Sequence, residues 1–93
     1  MANKQELKTS EARILVFLSK TELVHHWTGR ISAKLEIDYA YTCKLLYGLV
    51  EKQWIKKDKS PYNPISTYVN LTEYGKTMLP MAENIVSNFS INK

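Results

Sequence analysis

The stretch Ile37–Ile55, IDYAYTCKLLYGLVEKQWI, decides the fold. Asp38 suits a helix N-cap, because a short carboxylate can accept from backbone N–H groups that the first turn leaves unpaired. From Tyr39 to about Gln53, Thr42, Leu45, Leu46, Leu49 and Val50 follow the i, i+3, i+4, i+7, i+8 series of one buried stripe. Ala40, Cys43, Lys44, Tyr47 and Glu51 fall on the outward face, with Tyr41 and Gly48 at its margin. Trp54, Ile55, Lys56 and Lys57 read as a short strand leaving the helix.

Upstream, Glu36-Ile37-Asp38 reads as a tight turn. It joins this helix to an earlier one from about His26 to Leu35, where Trp27, Ile31 and Leu35 recur every four residues. Gly29 weakens the first turn of that helix. A helix before it starts near Thr9 or Ser10, either of which can cap it, and fades near Lys20. Ala12, Ile14, Leu15, Phe17 and Leu18 give it a broad apolar face.

Downstream, Asp58 to Ile65 contains Pro61 and Pro64 and is expected to be a loop. Thr67, Val69 and Leu71 then alternate with Tyr68 and Asn70 as a half-buried strand. The two strands form a hairpin whose tip is Lys59-Ser60-Pro61-Tyr62-Asn63-Pro64. Thr72-Glu73 caps a last helix running to about Phe89, which Pro80 should kink or interrupt. The order helix, helix, helix, strand, loop, strand, helix is that of a winged helix-turn-helix, mainly α with a small β-hairpin.

Bulk properties agree with one domain. The chain has 93 residues, 44% hydrophobic and 24% charged, which is too apolar for disorder and enough for one modest core. One cysteine, Cys43, excludes an intrachain disulfide and fits a reducing interior. The polar N-terminus shows no signal peptide, and the apolar run Ile14–Leu18 is far too short to span a bilayer, so a cytoplasmic protein with no membrane partner is expected. Net charge is +4, and +3 of it sits in residues 30–59, where seven cations face four acids. A positive middle suits an acidic partner such as nucleic acid.

Two segments resemble known regulators. Ile37–Ile55, with Leu46 and Leu49 in its Leu-x-x-Leu pattern, is similar to the recognition-helix segment of winged-helix families. Gln53 stands where those families usually carry glycine. Tyr68-Val69-Asn70-Leu71-Thr72-Glu73-Tyr74-Gly75-Lys76 is similar to the Y-x-L-T-x-x-G that closes their wing. The MarR and PadR groups, and small archaeal winged-helix proteins of the Sso10a type, share this layout from about residue 10 to 88. The D-x-R of the MarR wing is absent here, so no minor-groove arginine is assigned.

The resemblance implies double-stranded DNA as the partner. A recognition helix enters the major groove and its N-terminal half reaches base edges. Tyr39, Ala40, Tyr41, Cys43 and Lys44 occupy that half, with Tyr47 a turn further on. Lys44 can meet a phosphate or guanine. The tyrosines can donate to phosphate or pack on thymine methyls, and Ala40 offers only apolar contact. Lys56, Lys57 and Lys59, with Tyr62 and Asn63 at the wing tip, are candidate backbone contacts, as are Arg30 and Lys34 on the second helix. Gly48 either lets a phosphate backbone or partner helix come close or is a tolerated weak spot, costing about 1 kcal/mol. Cys43, beside Lys44, raises a redox switch as against a small groove-facing residue.

His25-His26 is expected at the surface or a loop edge rather than on a metal, since adjacent helical residues diverge and no ligand cluster completes a site. No catalytic motif, cofactor motif or small-molecule ligand is evident, so an enzyme is not expected. Met78, Met81, Ile85 and Phe89 on the last helix are expected to form a homodimer interface. The leading expectation is a sequence-specific transcriptional regulator. Two alternatives stand beside it: a non-specific architectural DNA-binding protein, and a winged helix used for protein–protein contact, which tyrosines with few cations would also serve.

Overall fold

The computed structural model describes residues 7–59 and 67–91, with residues 59, 67 and 89–91 described by backbone alone. The element order is α1 (Thr9–Lys20), a 3-10 turn (Leu23–His25), α2 (Thr28–Leu35), α3 (Tyr39–Glu51), β1 (Ile55–Lys59), β2 (Thr67–Leu71), α4 (Glu73–Lys76) and α5 (Leu79–Ile91). This is the expected winged helix-turn-helix.

Helix α1 starts at Thr9, as expected, but neither Thr9 nor Ser10 caps it. Lys8 is the N-cap residue, and its backbone N–H donates to Glu11 Oε1 at 3.0 Å. An acid at the third helical position can reach back this way, so no hydroxyl at the cap is required. The other oxygen of Glu11 accepts from Lys52 Nζ at 3.0 Å, and that ammonium lies 4.8 Å from the Trp54 ring centre. Arg13 donates to the carbonyl of Leu35 at 2.7 Å, tying α1 to the end of α2.

Helix α2 begins two residues later than expected, because His26 and Trp27 are claimed by the sheet. The His26 carbonyl accepts from Val69 N at 3.0 Å, and Trp27 forms an antiparallel bridge with Tyr68. A surface or loop-edge position for His26 is therefore incorrect: the residue is only 2% exposed. Its Nδ1 lies 3.1 Å from the Val69 carbonyl oxygen. Its Nε2 lies 3.0 Å from Thr21 Oγ1 and 3.1 Å from the Thr21 carbonyl. Burial lowers the imidazole pKa below 6.5. The backbone hydrogen bonds to Thr21 and Val69 oppose that shift, and the charge of neighbouring His25 adds to it.

Helices α2 and α3 end alike. Glu36 (φ 56°) and Gln53 (φ 65°) both adopt the left-handed conformation. After α3, Gln53 N donates to the Val50 carbonyl at 2.9 Å and Trp54 N to the Leu49 carbonyl at 3.1 Å, the paired bonds of a Schellman motif. This explains why glycine is usual at the position of Gln53: a side chain there costs energy that glycine avoids.

The hairpin pairs Ile55 with Leu71, Lys57 with Val69 and Lys59 with Thr67. Asp58 and Lys59 thus belong to β1, whereas the sequence suggested a loop from Asp58. The first proline of that stretch comes only at Pro61. Tyr68 also departs from the expected alternation, since it is buried along with Val69. The bridge places Trp27 opposite Tyr68 on the same face, so β2 has neighbours on both edges.

The last helix is two. Helix α4 is capped by Thr72, whose Oγ1 accepts from Gly75 N at 2.8 Å and donates to the Gln53 carbonyl at 2.6 Å. Pro80 interrupts rather than kinks, sitting at the second position of α5, where its missing N–H costs nothing. Helix α5 packs along α1. Met78 joins Ile14, Leu15, Leu18, Leu49, Trp54 and Ala82 in the core.

Candidate nucleic-acid interface

Helix α3 presents the site because its other face is committed. Thr42, Leu45, Leu46 and Leu49 are buried, and Val50 is half-buried. Asp38 caps the helix as expected, its Oδ2 accepting from Tyr41 N at 3.0 Å. Thr42 Oγ1 donates to the Asp38 carbonyl at 2.8 Å, which satisfies the one polar side chain on the buried stripe.

With that stripe inward, Tyr39, Ala40, Tyr41, Cys43, Lys44 and Tyr47 are all exposed. Tyr39 is 58% exposed and Tyr47 65%, well beyond what core tyrosines show. Cys43 is a free, exposed thiol. A Cβ added to Gly48 would meet nothing within 4 Å, so no packing contact within the described residues requires glycine there.

Lys56 and Lys57 are exposed on β1. Lys57 shares a half-open groove of about 250 Å³ with Thr28, Cys43, Leu46, Tyr47, Val50 and Val69, which joins the recognition helix to the base of the hairpin. Three residues singled out from sequence, Cys43, Tyr47 and Lys57, therefore meet around one concavity. Thr28 was missed. Its signal was the true start of α2, hidden because the four-residue spacing of Trp27, Ile31 and Leu35 suggested an earlier first turn. Arg30 is half-buried and Lys34 exposed on α2, about one turn apart. The side chain of Lys59, and Tyr62 and Asn63 at the expected wing tip, lie outside the described residues.

Of the expected dimer residues, Met78 is corrected: at 5% exposure it fills the core under α4 and α5 and is not free for a second chain. The helix break moves it off the α5 face that the sequence assigned it to. Met81 is 44% exposed, and Ile85 is half-buried against the core. The Phe89 side chain lies outside the described residues. No helix among the described residues is long and apolar enough to cross a membrane, and none of their His, Cys, Asp or Glu side chains form a group of three or more able to hold a metal.

No protein-family model and no curated protein matches the sequence. Solved structures do match in shape. The adhesin competence repressor AdcR from Streptococcus pyogenes superposes with TM-score 0.76 at 24% identity, over 95% of this chain and 63% of that one. MepR from S. aureus, in its complex with DNA, gives TM-score 0.76 at 15% identity, over 94% of this chain and 70% of that one. A MarR transcriptional regulator from Methanosarcina mazei gives 0.75 at 22% identity, over 92% and 60%. The chain spans about three fifths of the length of AdcR and of the M. mazei regulator. By its fold, then, this chain is a winged helix-turn-helix similar to MarR-type regulators.

Proposed function

We propose that the chain binds double-stranded DNA in a sequence-specific way, as a cytoplasmic transcriptional regulator. Helix α3 enters the major groove and the hairpin lies on the adjoining backbone. The observation that carries this is the outward face of α3: six side chains are exposed together on a helix fixed by its buried stripe, with Lys57 beside Cys43 and Tyr47 in one groove and Lys56 exposed on the same strand. An α-helix fits the major groove, and cations beside it neutralise phosphates. MepR, of the same fold, has been solved bound to DNA. Arg30 and Lys34 would meet the flanking backbone, and Lys59, Tyr62 and Asn63 would extend the contact along the wing. A second copy would dock through α5, at Met81, Ile85 and Phe89, so that two recognition helices read two half-sites about one DNA turn apart. Light scattering at micromolar concentration should then give a dimer.

The test is fluorescence anisotropy with a mixed-sequence duplex at two salt concentrations. Wild type should bind in a salt-dependent way. Lys44→Ala with Lys57→Ala should weaken binding and flatten the log K against log salt slope by roughly 0.9 for each phosphate that is no longer neutralised. The folded state should change by less than about 0.5 kcal/mol, since both side chains are exposed. No binding at low salt would point instead to a protein partner. Three exposed tyrosines around a single lysine favour that second reading.

A further inference from the structure

The composition of the exposed α3 face sets how it reads DNA, given the DNA-binding role proposed above. The common hydrogen-bonding readers of base edges are arginine or lysine on guanine and asparagine or glutamine on adenine. Helix α3, YAYTCKLLYGLVE, has no arginine, asparagine or glutamine. Lys44 is its one cation. On either side of Lys44, the outward line carries Ala40, Cys43 and Tyr47, all exposed, and it ends on Glu51. None of Ala40, Cys43 or the Tyr47 ring can discriminate base pairs by a bidentate hydrogen bond. What a major groove offers to such surfaces is the C5-methyl group of thymine.

Spacing supports the match. Ala40 and Cys43 are three residues apart, about 4.5 Å along the helix axis, against a base rise of about 3.4 Å per strand in DNA. Both lie in the N-terminal half of the helix, the half that reaches base edges. Tyr39 and Tyr41 flank Ala40 and are exposed, and a tyrosine hydroxyl can donate to phosphate. We propose that this protein selects its site chiefly through thymine methyl groups: Ala40 and Cys43 pack on the methyls of neighbouring thymines, and Lys44 donates to an adjacent guanine. The cognate half-site is thus a short thymine run beside a guanine, and removing methyls alone destroys most of the selectivity.

The experiment begins with selection of bound duplexes from a random pool by the full chain. The enriched site is then resynthesised with thymidine replaced by deoxyuridine, one position at a time, which deletes only the methyl. At two positions of each half-site, affinity should fall about fourfold per methyl, the value of one buried carbon. The same replacement outside the site should change nothing. In Cys43→Ser, which keeps the size and adds a hydroxyl, one of the two deoxyuridine effects should vanish. Tight, salt-dependent binding of a selected site that is indifferent to every deoxyuridine would overturn methyl readout and leave the DNA-binding role standing. Salt-dependent binding with no enriched sequence would also overturn it, in favour of an architectural protein. Failure to bind any duplex at low salt would overturn the DNA-binding role itself, and methyl readout with it.

Discussion

Two regions of the molecule joined by one helix obey opposite rules. The C-terminal end of α3 runs into a junction where almost every group is spoken for. Trp54 is buried, its carbonyl accepts from Thr72 N at 3.1 Å, and Thr72 closes on both Gln53 and Gly75. The outward face of the same helix is open: Gly48 has no neighbour within 4 Å of an added Cβ, and the side chains around it are exposed. At the junction the fold dictates the residues. On the open face it dictates almost none, so the residues found there are free to serve a partner. The Y-x-L-T-x-x-G pattern reports the first rule, and the tyrosines of α3 report the second.

The most severe challenge to this contrast is Gly75→Ala. A Cβ there would collide with the backbone carbonyl of Trp54, which cannot swing aside as a side-chain tip could. Overpacking of this kind should destabilise by about 3 kcal/mol, measured as a lower urea midpoint. A loss under about 0.5 kcal/mol would show that α4 shifts freely and that the junction is less constrained than its hydrogen bonds imply.

Acid should probe the second tie between the hairpin and the helices. The pKa of His26 is lowered in the fold by burial, so the native state takes up its proton less readily than the unfolded chain. Below an unfolded value of about 6.5 the unfolded state therefore binds more protons, and stability falls as pH drops. It is fully present above that value. Chemical denaturation at pH 7.5 and 5.0 should show the decline in wild type and a smaller one in His26→Gln. Equal slopes in both proteins would place the acid sensitivity elsewhere.

The smallest effects belong to a pair of glycine exchanges. Gln53→Gly should stabilise by up to about 1 kcal/mol, because the left-handed backbone at φ 65° then carries no Cβ. Gly48→Ala should stabilise by a similar amount, about 1 kcal/mol, by helix propensity alone. The proposed DNA binding separates the two. Gln53→Gly should leave affinity alone. If Gly48→Ala lowers affinity while raising stability, Gly48 exists for a close approach by the DNA backbone; unchanged affinity would make it a tolerated weak spot.

Much of this was legible in residue order. The stripe of Thr42, Leu45, Leu46 and Leu49 and the Asp38 cap located α3 within two residues, because helical periodicity and capping are local. The same stripe assigned the outward residues of the candidate site. Met78 falls off the α5 face because the interruption expected from Pro80 comes before it, at residues 77–78, and turns that side chain into the core. Pro80 has no N–H to give the Lys76 carbonyl, so the helix cannot run on unbroken, while Thr72, held by the Trp54 carbonyl 18 positions away, fixes where α4 begins.

Residue order alone settled the broad succession of helices and strands and the face of α3 that turns inward. Each follows from interactions within a turn or two of chain. Folding in three dimensions was needed to make His26 a buried stitch to Val69, to cover Tyr68, to let Glu11 serve α1 and Lys52 together, and to bring Cys43, Tyr47 and Lys57 into a groove with Thr28. Those depend on hydrogen bonds and burial between segments far apart in the chain, and no periodicity in either segment encodes its partner.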